Sequence, residues 1–223
     1  ALGNMYVYGK GIAKDDARAM ELLRSACTAG DTGGCVYVGW MHENGRGTPK
    51  DEARAVSFYR QACDDGDTHG CKNAGFMYEN GKGVTRDEAR AAALYKQACD
   101  AKNAGGCFNL GNLYANGKGV AKDGARAAEL YRQSCDGGEG GGCHNLGWLY
   151  MDGTGVPKSA EKAAELFKQS CDNNHLPACG SYGNMLRRGD GGLQRDVTRG
   201  RALLEKACTA GNEWSCEKLR GSP

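Results

Sequence analysis

Twelve cysteines stand at positions 27, 35, 63, 71, 99, 107, 135, 143, 171, 179, 208 and 216. Thiols at fixed spacing can hold a metal, run redox exchange or form structural disulfides. Here each adjacent pair encloses seven residues, as in "CDAKNAGGC" from Cys99 to Cys107, and no C-x-x-C occurs. His42, His69, His144 and His175 keep no constant offset from these pairs. Zinc sites call for closer thiols or matched histidines, so no metal is expected. An even cysteine count without ligand spacing points to disulfides and to an oxidising compartment.

Other stretches mimic catalytic or recognition motifs. "SAEK" at Ser159–Lys162 and "SCEK" at Ser215–Lys218 fit S-x-x-K, a serine nucleophile with a lysine one helical turn away. Ser159 and Lys162 are therefore a weak catalytic candidate. No S-D-N or K-T-G accompanies them, and Ser159 falls in a column of helix-capping aspartates. "GFMYENGKG" resembles a phosphate loop, but its glycines are one residue too far apart and neither the Ser/Thr nor a preceding strand is present. "RGD" at Arg188–Asp190 lies in a glycine-rich turn and is read as a chance tripeptide. No cofactor is expected.

The elements that carry these residues are set by a period. The first cysteine of each pair recurs every thirty-six residues from 27 to 171, then after thirty-seven at 208. "GRGTPKDEARAVSFYRQAC", "GKGVTRDEARAAALYKQAC" and "GKGVAKDGARAAELYRQSC" superimpose along this period, the signature of stacked supersecondary units. Each repeat reads as two helices. The first, as in "CFNLGNLYANG", places Leu110, Leu113, Tyr114 and Gly117 at i, i+3, i+4 and i+7 and stops at Asn-Gly. A glycine recurs in its middle (Gly3, Gly39, Gly75, Gly111, Gly147, Gly183), at a propensity cost of about 1 kcal/mol, which predicts close approach of a neighbour. The second helix starts at Asp51, Asp87, Asp123, Ser159 or Asp196 and ends at cysteine. The expected fold is an all-α, α/α solenoid over residues 1–223. Its repeats run about 1–34, 35–70, 71–106, 107–142, 143–178 and 179–215, with a C-terminal cap over 216–223.

With a net charge of +2, the composition gives no reason to expect nucleic acid. No apolar run is long enough for membrane insertion. No leader is visible, and one could have been removed before Ala1. In an antiparallel helix pair all twelve sulfurs fall on one rim, which leaves two disulfide schemes. Pairing within a hairpin (Cys35 with Cys63) strands Cys27 and Cys216, whereas pairing across the turn between repeats (Cys27 with Cys35) uses every cysteine and is favoured. A partner for Cys27 could have preceded Ala1. Each short ring would contribute about 2.5 kcal/mol on the loop-entropy account.

The pattern A-x-x-L-G-x-x-Y-x-x-G-x-G-V, followed by an acidic residue and K/R-A, resembles Sel1-like repeats, relatives of the tetratricopeptide repeat. The paired cysteines make it similar to the cysteine-rich secreted Sel1-like proteins of bacteria, the Helicobacter cysteine-rich protein family. The resemblance covers essentially the whole chain, with departures at the truncated first repeat and at the sixth, which lacks G-x-G-V. It implies a right-handed superhelix, a secreted or periplasmic location, and disulfides at this seven-residue interval. It also implies penicillin binding and weak β-lactam hydrolysis, the alternative function.

Because the repeats align with one another, each column can be read for tolerance. The Leu110 column (Leu2, Val38, Ala74, Leu146, Tyr182) and the Leu113 column (Met5, Met41, Met77, Leu149, Met185) read as core, and His42, in a tyrosine column, reads as a packed imidazole. Another column holds Asn4, Trp40, Phe76, Asn112, Trp148 and Asn184. Few packed slots accept both Trp and Asn, so this column is expected on an exposed face where aromatics meet a partner. One turn earlier stand Tyr37, Asn73, Asn109, Asn145 and Ser181. Mid-helix asparagines there suit either main-chain hydrogen bonds to a peptide or a ladder tying adjacent helices. The functional expectation is a monomeric scaffold that takes an extended peptide or protein on the concave face implied by the tetratricopeptide-like fold. Trp40, Phe76 and Trp148 would supply apolar contact, and Asn73, Asn109, Asn145, Asn112 and Asn184 the hydrogen bonds.

Overall fold

The computed structural model describes residues 2–221, among which there are thirteen helices and no strand. Ala1 of the first repeat and the last two residues of the expected cap lie outside the described residues. The first helices of successive repeats are α1 (Leu2–Tyr8), α3 (Thr32–Asn44), α5 (Thr68–Asn80), α7 (Ala104–Asn116), α9 (Gly140–Asp152) and α11 (Leu176–Arg188). The second helices are α2 (Asp16–Thr28), α4 (Glu52–Asp64), α6 (Glu88–Asp100), α8 (Gly124–Asp136), α10 (Ala160–Asp172) and α12 (Val197–Thr209); α13 (Glu213–Arg220) follows.

Local chemistry explains each boundary. Asp15, Asp51, Asp87, Asp123, Ser159 and Asp196 accept the backbone N–H three residues on, at 2.9–3.3 Å, starting the second helices. Such a cap contributes about 1 kcal/mol. The first helices stop where Gly45, Gly81, Gly153 and Gly189 turn left-handed. Asn44, Asn80 and Asn116 donate their side-chain amides to the carbonyls of Trp40, Phe76 and Asn112, closing the last turn.

Stacking of one repeat on the next depends on the second glycine of G-x-G. Gly83 and Gly155 have φ of +66° and +71°. Each lies so close to the first turn of the preceding repeat's second helix, at Glu52 and Gly124, that a Cβ would overlap backbone atoms. The mid-helix glycines answer to a different neighbour. A Cβ on Gly39, Gly75, Gly111 or Gly147 would fall 2.6–2.8 Å from the ring of Tyr59, Tyr95, Tyr131 or Phe167, the aromatic residue of the second helix in the same repeat.

Disulfides join Cys27–Cys35, Cys63–Cys71, Cys135–Cys143, Cys171–Cys179 and Cys208–Cys216, across the turns between repeats. Cys99 and Cys107 are likewise disulfide-bonded, and no described cysteine is free. The residue before the second cysteine is small because a Cβ on Gly34, Gly70 or Gly142 already presses on the end of the preceding helix.

The helices group into two compact units. Unit 1 comprises the described residues up to Gly106 with Lys118–Val120; unit 2 comprises Cys107–Gly117 and the chain from Ala121 on. The core of unit 1 includes Val7, Leu23, Val38 and Met41. In α1, Leu2 and Met5 occupy core columns yet are exposed, while Val7 reaches the core beside Val38 and Met41. The core of unit 2 centres on Tyr131, Leu146, Phe167, Tyr182 and Met185. No described helix is long and apolar enough to cross a membrane.

Candidate interaction surface

The Trp/Phe/Asn column lies on the first helices, and the two units use it differently. In unit 1, α3 and α5 pack side by side and carry Trp40 and Phe76 at equivalent positions. Phe76 is exposed (41%) and Trp40 half-buried. The Arg46 guanidinium lies 5.1 Å from the Trp40 ring and the Lys82 ammonium 4.7 Å from that of Phe76. The Trp40 indole N–H and the Asn73 amide have no hydrogen-bond partner among the described residues, and neither is sealed from solvent.

What lies beneath this face keeps it free. Tyr59 and Tyr95 donate their hydroxyls to Glu43 and Glu79 at 2.8 Å, so the buried phenols find carboxylates one turn beyond Trp40 and Phe76. Burial, then the Glu43 carboxylate, pushes the Tyr59 phenol well above its usual range. Lys82 adds an ion pair to Glu43 at 3.8 Å.

In unit 2 the same columns are consumed internally. Ala115 stands where Glu43 and Glu79 stood, so the Tyr131 hydroxyl turns to Asn112, donating to its Oδ1 at 2.7 Å. The Asn145 amide donates to the same oxygen at 3.1 Å. Trp148 donates its indole N–H to His144 Nε2 at 3.0 Å, and Ser181 Oγ lies 3.2 Å from that nitrogen. Rings of Phe167 and Trp214 pack against Trp148 with centroids 5.4 and 6.2 Å away. His175 stands 5.2 Å from His144 by ring centroids. Burial, and to a smaller degree His175, lowers the His144 pKa to about 4, leaving it neutral and able to accept from Trp148. Asn184 accepts from Arg187 at 3.3 Å. Of the asparagines picked out in unit 2, Asn109 alone makes no side-chain hydrogen bond with a described residue.

The remaining candidates are placed as follows. Ser159 Oγ accepts the Lys162 backbone N–H, while the Lys162 ammonium lies 5.3 Å from the Tyr150 ring, so serine and ammonium face different partners. Ser215 donates to Asn212 at 2.6 Å. Arg188 and Asp190 of the RGD turn pair with each other at 3.0 Å. His42 is buried and stacks on Phe58. Among the described residues, no cluster of three or more His, Cys, Asp or Glu has metal-binding geometry.

Glu43, Glu79, His144 and His175 were missed at the level of sequence. A signal existed: the column loses glutamate at Ala115, where the Trp/Phe column changes to Asn112.

Helix pairs of constant length, joined by glycine turns and disulfide-linked to their successors, define an α/α solenoid. The Sel1 repeat profile matches residues 1–31, 33–67, 68–103, 104–139, 141–175 and 177–212. The chain belongs to the Sel1 repeat family. No curated protein matches it. Among solved structures, it is similar to c5321, a protective antigen present in uropathogenic Escherichia coli strains, with 29% identity and a TM-score of 0.87 over 98% of this chain and 46% of that one. The chain thus spans about half the length of that relative. A Sel1 repeat protein from Oxalobacter formigenes shares the fold at 22% identity and TM-score 0.86, over 99% of this chain and 86% of that one. Helicobacter pylori cysteine rich protein B is 29% identical over 59% of this chain and 95% of its own, with TM-score 0.48.

Proposed function

We propose that the protein is a secreted or periplasmic scaffold that captures an extended segment of another protein on the first-helix face of unit 1. The observation that carries this reading is that Phe76 is exposed and that the Trp40 indole N–H and the Asn73 amide have no hydrogen-bond partner among the described residues, while Glu43 and Glu79 satisfy the phenols beneath them. Aromatic side chains offer large contact area, and the Asn73 amide can bond a peptide main chain. The disulfides suit an oxidising compartment and hold successive repeats in place before the partner arrives, which lowers the ordering cost of binding.

The test is selection of peptides from a displayed random library on the oxidised protein, followed by affinity measurement. Replacing Trp40 and Phe76 together by Ala is expected to weaken the selected peptides by at least about tenfold. Unchanged affinity in a variant with native circular dichroism would refute the assignment of the face.

A further inference from the structure

A second recessed site lies within unit 2, on the side of the second helices. A cleft of about 470 Å³ opens between α8 and α10 with α9 as its floor. This falls in the range of small-ligand sites. Leu166, half-buried, gives it apolar surface above the buried Leu146, and Tyr150 also lines it. The Arg132 guanidinium donates to the Tyr150 hydroxyl at 3.2 Å, and the Lys162 ammonium sits over the same ring. Neither cation forms an ion pair with a described residue. Asp136 and Glu165 also line the cleft and are likewise unpaired.

Part of this arrangement recurs in unit 1, where the Arg90 guanidinium lies 4.6 Å from the Tyr78 ring. At equivalent positions in other repeats, Lys96 pairs with Asp100 at 2.6 Å, Arg126 with Glu129 at 2.6 Å and Lys168 with Asp172 at 2.8 Å. Arg60 and Asp64, the unit 1 counterparts of Arg132 and Asp136, also form no ion pair with a described residue; what unit 2 adds is Glu165 where unit 1 has Ala93, so two carboxylates stand beside two cations around one tyrosine.

We infer that this cleft binds a zwitterion of amino-acid or dipeptide size. Its carboxylate bridges Arg132, Lys162 and the Tyr150 hydroxyl, its ammonium meets Glu165 or Asp136, and its side chain rests on Leu166. Guanidinium and ammonium donors recognise a carboxylate by charge-assisted hydrogen bonds. Two carboxylates in the same cleft disfavour a polyanion such as phosphate. The site is independent of the peptide face in unit 1.

Isothermal titration of the oxidised protein with glycyl-leucine tests this, alongside N-acetyl-glycyl-leucine, which lacks the cation, glycyl-leucinamide, which lacks the anion, and inorganic phosphate. Glycyl-leucine should bind one per chain, and each blocked dipeptide about tenfold more weakly or worse. Arg132→Gln and Lys162→Gln should each weaken glycyl-leucine while leaving the already weak glycyl-leucinamide unchanged. Both residues are exposed, so circular dichroism should remain native. No heat with glycyl-leucine, equal affinity for the blocked dipeptides, preferential phosphate binding, or indifference to Arg132→Gln would each overturn the inference.

Discussion

Units 1 and 2 are built from the same repeat and spend one helical column in opposite ways. In unit 1, Glu43 and Glu79 accept from Tyr59 and Tyr95, and one turn earlier the Phe76 ring stays exposed and the Trp40 indole N–H has no partner among the described residues. In unit 2, position 115 is Ala and position 151 is Met, so Asn112 must satisfy Tyr131, while Trp148 joins Phe167, His144 and Trp214. The difference teaches that alternation of Trp and Asn in a repeat column need not mark exposure. It can mark a change in which neighbour satisfies a buried hydroxyl.

The comparison can be broken or sharpened by mutation. The largest effects should be common to both units, because the stacking device is shared. Gly83→Ala and Gly155→Ala each force a Cβ into backbone at positive φ and should cost about 4 kcal/mol or more, read as loss of the urea midpoint or failure to fold. A large loss in one unit and none in the other would show that the repeats stack by different means.

Trp148→Ala should cost about 3 kcal/mol, through lost ring contacts and an unpaired His144 nitrogen. Trp40→Ala should cost about 1 kcal/mol, since it gives up partial burial and one surface cation–π contact. Equal losses would erase the distinction between the units.

Acid should probe unit 2 through His144. Its folded pKa of about 4 lies below the usual value near 6.5, so the unfolded state binds the proton more readily. The stabilisation is complete above about pH 6.5 and is lost as the pH falls toward 4, by at most about 3 kcal/mol. His144→Gln, which can still accept from Trp148, should flatten this part of the urea midpoint against pH. A limb unchanged in the variant would place the titration elsewhere.

The smallest contrast concerns the phenols. Tyr59→Phe removes a hydrogen bond to a carboxylate and should cost about 2 kcal/mol, against about 1 kcal/mol for Tyr131→Phe, whose acceptor is an amide. Urea titration of both variants reads the difference.

Much of the fold was legible because it is local and repeated. Caps at Asp51, Asp87, Asp123, Ser159 and Asp196, left-handed glycines after Asn44 and Asn80, and the cysteine interval each follow from short-range chemistry. The mid-helix glycines announced a close neighbour, though only packing shows it to be the ring of Tyr59, Tyr95, Tyr131 or Phe167. The candidate surface was less legible. Whether Asn112 is available to a partner depends on residue 115 and on a phenol nineteen positions away, and whether Asn73 is available depends on Trp40 standing where Asn145 meets Asn112, so no single column carries that information. His144 and His175 meet across successive first helices at a spacing unrelated to the period.

Amide hydrogen exchange with a library-selected peptide bound tests the central claim most directly. The account predicts new protection in α3 and α5 around Trp40, Asn73 and Phe76, with α9 and α11 unchanged. Protection confined to α9 and α11 around Trp148 and Asn184, with α3 and α5 unchanged, would contradict it.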